Sequence, residues 1–101
     1  MVDRDPSRRP THPGAMLREF VLPAAGISVK QAAQMMGVSR QNLHRILAEK
    51  GPVTSEMALR IGKFAGNGPE LWLAMQQAVD LWDARQAIGT DIEAIPTVGA
   101  A

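Results

Sequence analysis

A chain of 101 residues, 46% of them apolar, has material for one domain built around one core. It contains no run of eighteen apolar residues, which leaves out a membrane-spanning helix, and no cysteine, which leaves out disulfides, thiolate metal sites and a cysteine nucleophile. The net charge is only +1 but unevenly spread: residues 1–50 carry eight Lys/Arg against four acidic residues, residues 51–101 three against six, so the first half suits phosphate and the second a basic partner.

Residues 1–11 are polar and punctuated by proline, and read as a flexible N-terminal arm. Arg4, Arg8 and Arg9 in it could follow a DNA backbone or attach to a partner; the plainer alternative is a disordered leader. The arm has no apolar core of a secretory signal, which, with the absence of cysteine, leads us to expect a cytoplasmic protein. The domain proper is expected over 12–87. His12-Pro13-Gly14 opens it, with Pro13 suited to the first turn of a helix because its missing N–H would have no partner there. Met16, Leu17, Phe20 and Val21 form an apolar stripe, which predicts a helix over 13–22 that Pro23 breaks. His12 has no second His, Cys or carboxylate at ligand spacing, so a structural role is expected and no metal.

After a loop over 23–27, in which Ile27 is placed as a staple residue, comes the most informative stretch, residues 28–50. Ser28 can accept a bond from an orphan N–H of the helix that follows, Gly37 can take the left-handed conformation that ends that helix, and Ser39 can cap a second helix after a three-residue turn. Val29, Ala32, Ala33 and Met36 line one face of the first helix, and Leu43, Ile46 and Leu47 one face of the second. The two small alanines allow the close crossing that a helix-turn-helix requires. The outward face of the second helix carries Arg40, Gln41, Asn42, His44 and Arg45, all polar and none acidic. Arginine can fork onto guanine, and Gln or Asn onto adenine, from the first turns of such a helix in the major groove. The alternative is a solvated face that touches nothing.

Lys50-Gly51-Pro52-Val53 forms the exit loop, with Lys50 placed to meet phosphate. Thr54 caps a helix whose stripe is Met57, Ala58, Ile61, Phe64 and Ala65; Thr54 or Ser55 at that N-terminus could also bind phosphate. Gly66-Asn67-Gly68 is a turn, and Pro69 starts a last helix reaching about Gln86. Its seam is Leu71, Trp72, Met75, Val79 and Trp82. Trp82 lies far enough along to be a contact for a second copy or another partner, or to pack on its own bundle. Residues 88–101 read as a tail with Ile88, Ile92 and Ile95 as its anchors. There is no phosphate-cradling glycine loop, no nucleophile with a base, and no paired carboxylates in an apolar setting, so no enzyme and no cofactor are expected. Met35 and Met36 read as core fillers.

Taken together, His12-Pro13-Gly14, Leu17-Arg18-Glu19, Gly37-Val38-Ser39, Thr54 with Ala58-Leu59-Arg60, Pro69-Glu70-Leu71-Trp72-Leu73 with Gln76, and Asp80-Leu81 resemble, in this order and spacing, the HigA-type antitoxins of the Xre/lambda-repressor-like helix-turn-helix group. The resemblance covers about residues 12–86. It implies an all-α, five-helix lambda-repressor-like domain and a homodimer that binds a palindromic operator in its own promoter. It also implies a cognate HigB-like toxin, a basic RNase that cleaves mRNA, which the antitoxin neutralises. Carried over by position, Ser39, Arg40, Gln41, Asn42 and Arg45 face DNA, with Lys50 and Thr54 on phosphate. The chain departs from the family pattern in two places. Gly51-Pro52 leaves Lys50 as the single basic residue of the exit loop, and Gly68 stands where a Ser or Thr usually caps the last helix. Two other readings keep the fold: a stand-alone Xre-type regulator without a toxin, and a protein-interaction module that uses Trp82 and the acidic last helix.

Overall fold

The computed structural model describes residues 7–99, and within them every regular element is helical. Residues 1–6 of the expected arm, with Arg4, and the last two residues of the tail lie outside the described residues.

The first helix, α1, is continuous through three pieces: an α-helical turn Pro13–Met16, a π-helical turn Leu17–Val21 and an α-helical turn Leu22–Ala25. The backbone at Met16 (φ −61°, ψ −44°) and Val21 (φ −72°, ψ −51°) is right-handed helical at both junctions. Pro23 therefore does not break the helix, contrary to the expectation from sequence. In a regular α-helix its ring would collide with the carbonyl four residues back. Here the Leu22 N–H reaches five residues back, to the Leu17 carbonyl, and the widened turn makes room ahead of the proline. The same turn changes which side chains face inward. Leu22 (8% exposed) follows Leu17 (0%) into the core, while Phe20, expected in the stripe, is 63% exposed. Gly26, at φ 68°, ends the helix.

Helices α2 (Val29–Met36) and α3 (Arg40–Leu47) form the helix-turn-helix, followed by α4 (Ser55–Ala65), α5 (Pro69–Ile88) and a 3₁₀ segment Gly89–Ala94. Ala32, Ala33, Leu43, Ile46, Ala58, Ile61 and Trp72 join Leu17 in one buried cluster. The Trp72 indole N–H donates to Asn67 Oδ1 at 2.8 Å, so the largest core side chain leaves no polar atom unsatisfied. On α5 the buried face is Trp72, Gln76 and Val79, with Leu71 turned outward rather than into the seam. Met36 fills the core as expected, but Met35 is exposed.

Two glycines allow the elements to touch. A Cβ on Gly14 would overlap the Ile46 carbonyl oxygen, so α1 crosses α3 with backbone against backbone; a Cβ on Gly62 would overlap the Gly68 carbonyl group. Beyond Val79, α5 leaves the core. The radius of gyration is 16.5 Å, against about 13 Å for a compact domain of this length, and Leu81, Ile88, Ile92 and Ile95 are exposed. The three isoleucines therefore do not anchor the tail.

His12 is structural, as expected. It precedes α1, is 4% exposed, and its Nδ1 accepts the Gly14 N–H at 2.9 Å. Burial pushes its pKa below the ordinary value, opposed by the field of Glu49.

Two outcomes follow for stability. Gly14→Ala should lose about 1–3 kcal/mol in urea titration, since the new methyl has rigid backbone against it. The unfolded His12 binds a proton below about pH 6.5 while the folded one resists it, so stability falls as the pH drops through that value and stops falling below the lowered folded pKa. His12→Asn keeps a capping oxygen and should remove that part of the decline, measured by denaturation at pH 5, 6 and 7.5.

Candidate nucleic-acid interface

The turn between α2 and α3 is built from its caps. Ser28 Oγ accepts the Gln31 N–H at 3.1 Å and Gln31 Oε1 accepts the Ser28 N–H at 2.9 Å, a reciprocal capping box. Gly37, at φ 71°, lets the chain reverse, and the Val38 N–H closes on the Ala33 carbonyl at 3.0 Å. Ser39 Oγ then accepts the Asn42 N–H at 3.0 Å and starts α3. With Leu43, Ile46 and Leu47 buried, Ser39, Arg40, Gln41, His44 and Arg45 are exposed and Asn42 is half-buried at the margin. This surface carries no carboxylate and is not covered by any other part of the described chain. Lys50 and Thr54 are exposed on the loop and cap that follow; Thr54 Oγ1 accepts the Met57 N–H at 3.2 Å, which leaves its own O–H free to donate. Ser55 is exposed beside it.

Three polar side chains to which the sequence reading assigned no role hold this surface in place. Arg60 on α4 donates to the Met36 carbonyl at 2.8 Å and, through its other nitrogens, to Glu56 at 3.0 and 3.2 Å. Arg18 on α1 donates to the Leu47 carbonyl at 2.6 Å. Each arginine thus places a cation at the C-terminus of one helix of the motif, where orphan carbonyls and the helix dipole favour it. Gln76 on α5, 6% exposed, accepts the Val53 N–H at 2.8 Å and donates to Asp80 at 2.9 Å. It ties the exit loop to the last helix. Arg18, Arg60 and Gln76 all stand inside motifs that are visible in the sequence; the backbone groups they bond to are 23 to 29 residues away, and no local pattern reports that.

Arg9, read from sequence as part of a loose arm, is gripped by Asp83 on α5 through two bonds of 2.9 and 2.8 Å. The bonds from its guanidinium hold the Asp83 carboxyl below the usual carboxylate range. Among the described residues no group of three or more His, Cys, Asp or Glu side chains could hold a metal ion, and no helix is long and apolar enough to cross a membrane.

Gln76→Leu should leave the Val53 N–H buried without an acceptor and destabilise the protein by about 1–3 kcal/mol. Amide exchange at residues 51–54 should rise more than in the α2–α3 core.

The helix-turn-helix family profile matches residues 17–72. The chain is 40% identical over 82 residues to antitoxin HigA-1 of Vibrio cholerae, covering 81% of this chain and 77% of that one. Its fold superposes on antitoxin GraA, solved in complex with its operator, with a TM-score of 0.82, 35% identity and 100% of both chains covered. It also superposes on Pseudomonas aeruginosa antitoxin HigA, solved with the higBA promoter, at a TM-score of 0.83 and 29% identity, covering 91% of this chain and 100% of that one. The all-helical five-helix fold expected from sequence is the fold observed.

Proposed function

The chain belongs to the helix-turn-helix family of the HigA antitoxins, and from that membership we propose that it is a DNA-binding antitoxin that represses its own operon. It acts by binding, not by catalysis. The observation that carries this reading is the outward surface of α3. Arg40, Gln41 and Arg45 stand uncovered, with Asn42 half-buried at their margin, on a face without carboxylates behind the Ser39 cap, in a fold that matches an operator-bound antitoxin over its whole length. In this role Arg40, Gln41, Asn42 and Arg45 read base edges, and Ser39, Lys50 and Thr54 hold phosphates.

The partners are a palindromic operator, a second copy of the chain and a basic, HigB-like mRNA-cleaving toxin, all meeting in the cytoplasm. The distal half of α5 supports a further protein contact. Trp82 is half-buried there and Leu81 is exposed beside it. A dimer must set its two α3 helices about 34 Å apart to meet successive major grooves. The acidic balance of residues 51–101 suits a basic toxin.

The test is a binding titration against the chain's own upstream DNA and a scrambled duplex across a salt series. Arg40→Ala should lose about 1–3 kcal/mol on the operator alone. Lys50→Ala should weaken binding to both duplexes and lower the salt slope by about one. Equal affinity for operator and scrambled DNA at moderate salt, with and without the product of the adjoining gene, would overturn the reading.

A further inference from the structure

The first turn of α3 is held by Ser39 and its inner face by Leu43, Ile46 and Leu47, but its last turn is held in another way. Glu49 follows that turn and has φ 63°, the one non-glycine residue at positive φ among the described residues. Left-handed backbone is disfavoured for a residue with a side chain, and glycine adopts it freely. A glutamate kept in such a place points to a use for its carboxylate. That carboxylate lies between two arginines. Arg18 Nη1, which donates to the Leu47 carbonyl, is 3.3 Å from it. Arg9 Nη1 is 3.8 Å from it, while the remainder of the Arg9 guanidinium grips Asp83 on α5. One carboxylate therefore ties the end of α3 to α1 and, through Arg9, to α5.

We propose that Glu49 and Arg18 are positioning residues for the reading helix: they clamp the C-terminal turn of α3 so that Arg40 to Arg45 meet base edges in register, and they thereby set operator specificity rather than general DNA affinity. The inference rests on α3 being the reading helix. General affinity gives no reason for Glu49. A negative charge beside Lys50 repels phosphate, so Glu49 lowers attraction to every duplex alike. Its value lies in geometry: Ile46 and Leu47 seat the last turn of α3 on the core, and the ion pairs of Glu49 fix the orientation in which that turn sits against α1.

The charge argument supplies a clean test, because the two clamp residues have opposite signs. Full-length Glu49→Gly and Arg18→Met would each be titrated against the operator and a scrambled duplex of the same length. If only charge mattered, Glu49→Gly would bind both duplexes more tightly, Arg18→Met would bind both more weakly, and neither would change the operator-to-scrambled ratio. The clamp predicts that the ratio falls by about fivefold or more in both variants, despite the opposite shifts on scrambled DNA. Glycine relieves the left-handed backbone at position 49, so the melting midpoint of Glu49→Gly should not fall, which separates positioning from folding. An unchanged ratio in either variant overturns the proposal. Amide exchange in the free protein gives a readout independent of DNA: residues 46–51 should exchange faster in both variants, and unchanged exchange also overturns the clamp. If the unaltered protein shows no operator preference, the reading of α3 fails instead, and the exchange data still decide whether the clamp holds the helix end.

Discussion

A helix of eight residues has few backbone bonds of its own, because the first four N–H groups and last four carbonyls have no partner inside it. Both helices of the motif, α2 and α3, are of this length. Their stability as helices therefore depends on what is done at their ends. The N-termini are closed by neighbours in the chain, Ser28 with Gln31 and Ser39 with the Asn42 amide. The C-termini are closed partly by the chain, through Gly37 and the turn at Glu49, and partly by arginines from elsewhere, Arg60 on the Met36 carbonyl and Arg18 on the Leu47 carbonyl. Without them, the Met36 and Leu47 carbonyls would lose the side-chain donors that satisfy them.

This arrangement makes the placement of α3 a property of the whole fold. Its inner face rests on the core cluster, its last turn is pressed at the Ile46 carbonyl by α1 at Gly14, and its exit loop is pinned by Gln76 of α5. The helix α5 therefore does two things. Its first half, with Trp72, Gln76 and Val79, closes the core and fixes the loop that carries Lys50 and Thr54; its second half runs out with exposed apolar groups. A partner seated on the outer half is mechanically joined to the loop by a continuous helix. Arg9, bonded to Asp83 and near Glu49, adds an ionic connection between the same parts.

Much of the candidate site was legible in the sequence because it is written in local chemistry. Serine before a helix, glycine after it and apolar residues three and four apart act within one or two turns, so Ser28, Gly37, Ser39 and the Leu43–Leu47 face could be placed without any tertiary knowledge. The mistaken details share a cause. A uniform helical period places Phe20 inward and ends the helix at Pro23, and the π turn at Leu17–Val21 breaks that period. Apolar character alone places Met35 and Leu71 inward, yet both are exposed. Neighbours on the same helices, Met36 and Trp72, took the core-facing positions. Nothing near Arg9 in the sequence shows that it is held, because its partner Asp83 is 74 residues away.

By itself, the sequence determined the helix count, the motif with its caps, and the polar, acid-free character of the outward face of α3, since each follows from bonds and periodicities spanning only a few residues. Only the tertiary structure decided how that face is held: the arginines on the two helix ends, the glutamine on the exit loop, and the glycine that lets α1 touch α3. Those contacts join residues far apart in the chain, and geometry selects them, because a cation or an amide serves as a clamp only where the fold brings an unpaired carbonyl or N–H within about 3 Å.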